Sequence, residues 1–331
     1  MLMPKFWLKS NSLLSYALLP LSWLFWLIVT LRRCYYRLIT RRATINPRCK
    51  VLVVGNLTVG GSGKTPVVIS LAKFFTARGY KVAVISRGYG AKLRPSSNYP
   101  HLVNLALDTP KTVGDEPYLM AKTLNPIAVW IDPKRERAMQ KLALAGYEII
   151  LSDDGLQHYA LKRHGEMVVV SAELMWGNGC LLPAGPLREP LTRLKSANWL
   201  IVTANSKTPK VKLPSYAPSF NAYLCPAARP INLSDPSKTL DTKTVTAACA
   251  IGYPPKFFET LTKLGFNITK RFSYPDHHYF TASDISSWGL GSVIVTSKDA
   301  VKLPPLANVW YLDIEAQLEP ELIKQLLAWA K

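Results

Sequence analysis

The chain has 331 residues, with 41 Lys and Arg against 21 Asp and Glu and a net charge of +20. That is enough for two domains with cores of their own, and it excludes a small stapled scaffold. The five cysteines (Cys34, Cys49, Cys180, Cys225 and Cys249) are odd in number, scattered and without a CxxC pair, so neither a disulfide framework nor a zinc site is indicated and a reducing compartment fits. The charge surplus calls for an anionic partner.

The first predicted element is apolar. Leu13 to Leu31 runs nineteen residues without a charge, and at ~1.5 Å per residue a helix of that length just crosses a hydrocarbon core of about 30 Å. Pro20 and four hydroxyl side chains weaken the case for a span, and a helix lying flat in the membrane surface is the alternative. Five arginines follow (Arg32, Arg33, Arg37, Arg41 and Arg42), against Lys5 and Lys9 before, so the positive-inside rule keeps the bulk of the chain in the cytoplasm, where ATP is. A cleaved signal peptide has no small-residue cleavage site here and would strand a nucleotide site outside.

Next comes VLVVGNLTVGGSGKT, Val51 to Thr65. A β-branched apolar run opening into a glycine-rich turn that ends in Gly-Lys-Thr is a phosphate loop at the end of a buried strand. Thr58, Val59, Gly60, Gly61, Ser62 and Gly63 supply the turn, whose N–H groups point at a polyphosphate. Lys64 bridges the terminal phosphates and Thr65 ligates Mg²⁺. A helix from Pro66 to about Arg78 aims its positive end at the same anion. The motif's usual first glycine is replaced by Thr58.

Lys81 to Ser86 reads as a second strand ending in the loop Ser86-Arg87-Gly88-Tyr89-Gly90, on the rim where ligands collect in open α/β sheets. Arg94 to Leu107 is loop or a short edge piece. Gly114-Asp115-Glu116-Pro117 starts a helix reaching Leu124, with its carboxylates suited to a first turn. Ile127 to Ile131 is a third strand, and Pro133 opens a helix through Ala145. Tyr147 to Gly155 ends a strand in paired aspartates, Asp153 and Asp154, the arrangement that holds Mg²⁺ or its water shell downstream of a phosphate loop. Beyond His158 strands and helices still alternate, with a different texture. Pro183 to Pro190 is a proline-rich loop, Asn198 to Ala204 a strand, and Ser206 to Pro230 a proline-rich connection. Strands follow over Thr244 to Ile251, Val293 to Ser297 and Val309 to Ile314. A helix runs from Pro255 to Leu264, the loop Tyr274 to Phe280 precedes a helix capped near Ser283, and Glu319 to Lys331 closes the chain as an amphipathic helix.

The stretches VGNLTVGGSGKTP, SRGYG, GDEP, SDDGLQH, LLPAGPLREP, AIGYPPKFF, PDHHYF and SKDAVKL, spread in order over Val54 to Leu303, closely resemble the tetraacyldisaccharide 4'-kinase family, membrane-associated enzymes that phosphorylate the lipid A precursor. The resemblance implies an α/β fold: a P-loop NTPase-like α/β/α domain, a second, smaller α/β/α domain closing over the nucleotide, and an N-terminal membrane helix. The expected division is 1–42 for the helix and its basic flank, 43–165 for the kinase domain with a C-terminal helix in 315–331 packing back on it, and 166–314 for the second domain. The resemblance makes Asp115 the base that deprotonates the sugar hydroxyl and His277 its partner, favoured over His278. It associates Asp153, Asp154, Glu116 and Glu189 with Mg²⁺, sets Arg135 and Arg188 near the phosphates, and puts Ser86, Arg87 and Tyr89 beside the substrate. Where the family usually has Glu before Lys298, this chain has Ser297.

The expected partners are then ATP, Mg²⁺, an acylated disaccharide 1-phosphate and the cytoplasmic surface of the inner membrane, with a monomer as the default. A membrane-tethered P-loop ATPase or GTPase switch is the first rival and a basic nucleic-acid-binding module the second. Against the second, no RNP, zinc-knuckle or helix-turn-helix pattern is present.

Overall fold

The computed structural model describes residues 4–40, 49–205, 213 and 216–331. Arg41, Arg42 and residues 206–212 and 214–215 of the expected proline-rich connection lie outside the described residues.

The chain packs as two units, Pro4–Leu224 with Ala316–Lys331, and Cys225–Glu315. The first unit contains α1 (Leu13–Thr40), β1 (Lys50–Gly55), α2 (Lys64–Thr76), β2 (Val82–Ser86), β3 (His101–Leu102), α3 (Pro110–Val113), α4 (Asp115–Leu124) and β4 (Ala128–Ile131). It continues through α5 (Arg135–Leu144), β5 (Ile149–Asp153), β6 (Gly165–Ser171), β7 (Trp199–Ala204) and β8 (Ser219–Pro226). The second unit holds β9 (Ile231–Asn232), β10 (Thr244–Cys249), α6 (Pro254–Lys263), β11 (Asn267–Ser273), α7 (Ala282–Ser287), β12 (Val293–Thr296), α8 (Ser297–Ala300) and β13 (Val309–Leu312). The chain returns to the first unit through β14 (Ile314–Leu318) and α9 (Pro320–Ala330).

The nine strands of the first sheet run in the order β14-β8-β7-β6-β1-β5-β2-β4-β3. From β8 across to β4 every pairing is parallel, and β3 closes the edge antiparallel. Strands buried on both faces need continuous apolar runs, and the VLVV of β1, the VVV of β6 and the LIV of β7 are all buried. In β1 and β5 Val54 lies opposite Asp153, and in β2 and β5 Ile85 lies opposite Ser152. The loops after β1, β5 and β2 therefore leave from one rim.

The expected break at residue 165 is not where the chain divides. β6 pairs in parallel with β1, Leu52 opposite Gly165, and Val168, Val170, Leu200 and Val202 share the core of Val51 and Val53. The change of texture after His158 belongs to the connections, while the apolar runs of β6 and β7 extend the same sheet. The closing helix α9 packs back on this unit: Leu322 and Leu326 are fully buried, and the Trp329 ring lies 6.2 Å from Phe75.

The expected nineteen-residue apolar stretch is part of a 28-residue helix that continues through Arg32, Arg33 and Arg37. Among the described residues it is the one helix long and apolar enough to cross a membrane. Its covered positions are Ser15, Leu18, Leu19, Ser22, Phe25, Val29, Thr30, Arg33 and Tyr36, most of them a stripe at helical spacing down one face. Ser22 Oγ donates to Leu181 O at 2.9 Å and accepts from Ala184 N at 3.1 Å, and Asn178 Nδ2 donates to Ser15 Oγ at 3.0 Å. Trp23, Leu24, Trp26, Leu27, Ile28 and Leu31 stay exposed.

In the second unit the strand order is β11-β10-β12-β13-β9, parallel except for β9. The α6 helix buries Phe257, Phe258 and Leu261 against one face.

Candidate active site

The phosphate loop follows β1 and ends at Gly63, which has φ +77° and caps α2. A left-handed residue is required there, and a Cβ would also stand 3.2 Å from Thr203 Oγ1. The helix starts at Lys64 itself, two residues before the expected Pro66, so Lys64 and Thr65 are its first two residues. Thr58 forms an antiparallel bridge with Leu187, and Val59 N donates to Pro186 O at 2.8 Å. The loop's start is thus tied to the proline-rich segment in extended backbone, which any residue adopts, and glycine is not required. Thr203 Oγ1 donates to Ser62 O at 2.8 Å and Asn56 Nδ2 to Gly60 O at 3.3 Å, bracing the turn from β7 and from within.

Asp154 is the hub opposite the loop. Lys64 Nζ lies 3.3 Å from its Oδ1 and Arg188 Nη1 3.4 Å from its Oδ2. Its backbone φ is +45°, and Arg135 Nη1 donates to its carbonyl at 2.9 Å. Burial raises the Asp154 pKa, but Lys64, Arg188 and Arg135 together overcome this and hold the carboxyl well below the usual range. Asp153 is its opposite: burial, then the neighbouring carboxylates of Glu116 and Asp154, push it up to about 7. Asp153 Oδ1 is buried and, among the described residues, accepts no hydrogen bond; Ser62 Oγ and Ser152 Oγ are in the same condition. A buried, unpartnered carboxylate oxygen held against like charges fits a divalent cation, and Mg²⁺ needs only one or two carboxylates beside phosphate and water oxygens.

Three expected roles change. Glu189 is fully buried, with Oε1 accepting from Gln157 Nε2 at 2.9 Å and Oε2 from Arg193 Nε at 3.1 Å. Its oxygens are taken up in a structural ion pair and are not presented to a metal. Among the described residues, no group of three or more His, Cys, Asp or Glu is placed to hold a metal. Arg135, 3 % exposed, supports the Asp154 turn from beneath where a phosphate contact was expected. Ser86 is buried, and its carbonyl accepts from Asp132 N, so it serves as backbone at the rim.

Asp115 is buried as the first residue of α4, its Oδ1 accepting from Glu116 N at 3.0 Å. Gly114 before it has φ +94°, and a Cβ there would stand 2.9 Å from Tyr89 O. The SRGYG loop is thereby packed on the turn that carries Asp115, with Arg87 and Tyr89 exposed. The backbone N–H of Arg188 donates to Leu57 O at 2.6 Å, a further tie between the proline-rich segment and the start of the loop.

In the second unit the rim loop after β11 carries the paired histidines. His278 is fixed, stacked on Tyr274 at 4.9 Å and paired with Asp284 at 3.0 Å. His277 has φ +64°, and its Nε2 stands 3.8 Å from Asp276 Oδ2; Asp276 also meets Lys298 at 3.2 Å. Ser297 opens α8, which is capped by Thr296.

The residue set on the first unit's rim is that of a phosphoryl-transfer enzyme: anion cradle, lysine, arginine and cation-seeking carboxylate. The sequence profile described as tetraacyldisaccharide-1-P 4'-kinase matches residues 14–331. The chain belongs to the tetraacyldisaccharide 4'-kinase family. Among its relatives in the family, the tetraacyldisaccharide 4'-kinase of Histophilus somni is 39% identical over 97% of this chain and 96% of its own. That of Aeromonas hydrophila is 41% identical over 94% and 91%. The crystal structure of the "apo" form of LpxK from Aquifex aeolicus in complex with ATP matches with a TM-score of 0.77 at 29% identity, covering 96% of this chain and 100% of that one. Thr203, which braces the cradle in this member of the 4'-kinase family, carries no signal in the sequence because strand pairing alone brings it there.

Proposed function

We propose that the chain transfers the γ-phosphoryl group of ATP to the 4'-hydroxyl of the tetraacyldisaccharide 1-phosphate precursor of lipid A, at the cytoplasmic surface of the inner membrane. The observation that carries this reading is the complete phosphate loop with Lys64 held against Asp154, in a chain of the 4'-kinase family.

Transfer of a phosphoryl group is mostly positioning and charge neutralisation. The backbone N–H groups from Gly60 to Thr65 hold the phosphates. Lys64 exchanges its contact with Asp154 for the terminal phosphate oxygens, and Arg188, on the same carboxylate, shares that charge. Thr65 and Asp153 would hold Mg²⁺, which when bound neutralises charge on the phosphates. Asp115 accepts the proton of the attacking hydroxyl; the resemblance of the PDHH loop retains His277 as the imidazole that orients it and shares the developing charge. Arg87 and Tyr89 are exposed next to Asp115 and form the substrate side.

The covered stripe of α1 favours a helix lying in the membrane surface over one that crosses. From Ser15 to Tyr36 it follows the protein body for about 30 Å, and a crossing helix would carry polar loops into hydrocarbon with it. The exposed tryptophans and leucines of the other face enter the interface, where an acylated acceptor resides.

The test is transfer of ³²P from γ-labelled ATP to the lipid A precursor by purified protein. Labelled product that disappears in Lys64→Ala is the expected result. Nucleotide hydrolysis indifferent to the acceptor, with no labelled lipid, would overturn the kinase reading in favour of a switch ATPase.

A further inference from the structure

A cavity of about 330 Å³ opens at the amino-terminal edge of the first sheet, lined by His164 and Gly165 where β6 begins and by Asn198 just before β7. The phosphate loop leaves from the carboxyl-terminal edge. The seven residues of β6 at ~3.3 Å each set the two edges about 20 Å apart. The cavity is therefore separate from the site of phosphoryl transfer.

Five Lys or Arg side chains and one carboxylate, Glu166, line it. Two of the cations are already committed. Arg193 makes a two-pronged contact with Glu166 at 2.6 Å and meets Glu189, and Arg163 meets Glu166 at 3.1 Å. Arg33 and Arg37 enter from α1, one turn apart, facing this neutralised floor. Arg33 is half-buried and pinned by its Nη2 to Ser196 Oγ at 3.1 Å. Burial, then the positive charges of Arg193 and Arg37, push its guanidinium down, the condition of a cation crowded by like charges that an anion would relieve.

We infer that this cavity binds the phosphate of an anionic phospholipid headgroup, with Arg33 and Arg37 as its forks. A planar guanidinium takes phosphate oxygens in pairs, and a volume near 300 Å³ is the lower range for small-ligand sites, enough for a glycerophosphate. The lipid source follows from the helix: the arginines belong to α1, whose opposite side carries the exposed Leu24, Ile28 and Leu31. A headgroup bound here would fix the depth and rotation of α1 in the interface. The inference rests on the membrane-surface reading of α1 and not on the phosphoryl-transfer chemistry.

The experiment is partition of the full-length protein onto phosphatidylcholine vesicles with and without phosphatidylglycerol, with Tm recorded for each variant. Arg33→Ala with Arg37→Ala should weaken partition onto the anionic vesicles by about tenfold or more, against a smaller loss for Lys5→Ala with Lys9→Ala, which removes the same charge outside the cavity. Arg33→Lys with Arg37→Lys keeps charge and fold but not the forks, and should lose several-fold. Equal loss in the two alanine pairs, or full binding in the lysine pair, means diffuse attraction and overturns the cavity while leaving α1 at the membrane. Failure of the unaltered protein to prefer anionic vesicles overturns it as well. Stabilisation by millimolar inorganic phosphate or glycerol 1-phosphate that the lysine pair abolishes, without any change in vesicle partition, would assign the cavity to a soluble phosphate.

Discussion

Replacing Arg193 by methionine tests whether Glu189 is structural. Arg193 is 3 % exposed and spans two carboxylates, Glu166 on both oxygens at 2.6 Å and Glu189 at 3.1 Å. The thioether keeps much of the volume but takes the guanidinium contact from Glu189, 0 % exposed, while the neutral amide of Gln157 stays. Removing one member of a buried pair costs about 3–5 kcal/mol because the other charge is stranded. Glu189→Gln alone should cost about 1–3 kcal/mol, since Arg193 keeps both contacts to Glu166. The double variant should fall short of the sum by more than about 1 kcal/mol, the mark of direct coupling. Urea unfolding of the full chain in detergent, followed by circular dichroism at constant pH, gives the three values. Arg193→Met destabilising by less than about 1 kcal/mol, or strict additivity, would refute the account. So would a steep rise in the Mg²⁺ concentration needed for activity in Glu189→Gln, because that is how a metal ligand behaves.

Four further outcomes are expected. Asp153 is neutral in the fold up to about pH 7 but ionises near the usual 3.8 when unfolded, so its contribution to stability is full below about pH 4 and declines as pH rises to 7. Without Mg²⁺, Asp153→Asn should therefore be more stable than the parent at pH 8 by up to about 4 kcal/mol and converge on it near pH 4; a pH-independent difference in melting would sink this. Lys64→Ala should lower kcat about 10²–10³-fold in the labelled-transfer assay, and a value within a few-fold of the parent would remove it from the charge-neutralising role. Asp115→Asn and His277→Ala should each lower kcat by about 10²–10⁴ with ATP affinity retained; near-normal turnover in either excludes that residue from the proton transfer. Gly114→Ala, forced to φ +94° with its methyl 2.9 Å from Tyr89 O, should cost about 1–3 kcal/mol and lower turnover with it, whereas an unchanged melting temperature would mean that the two loops are not packed as described.

What the sequence made legible was chemistry compressed into consecutive residues. A strand, a turn of glycines and Gly63-Lys64-Thr65 must be contiguous to wrap an anion, so the cradle and the Asp153-Asp154 turn could be read directly. Glu189 was associated with Mg²⁺ through the resemblance alone; the signal for its ion pair was Arg193, four residues on, in the short helical turn Leu191–Ser196 that follows it. The position of β6 to β8 was hidden because the order of parallel strands is a long-range property. β8 in particular lies within what reads as a proline-rich connection. For α1, composition shows an apolar helix but not which side is covered. Ser15 and Ser22, seven residues apart, were the clue, since both turn to the protein and bond it.

Those two serines reach further than the helix. Ser22 holds Leu181 and Ala184, Trp7 Nε1 donates to Pro183 O, and the same segment runs on to Pro186 and Leu187, which grip Val59 and Thr58 at the mouth of the nucleotide cradle. Trimming the first forty residues to obtain a detergent-free enzyme would strip the buttress from that segment and slacken the grip on ATP. The apolar helix and the nucleotide cradle are mechanically continuous, so a chain without α1 should hold ATP more weakly than the full chain.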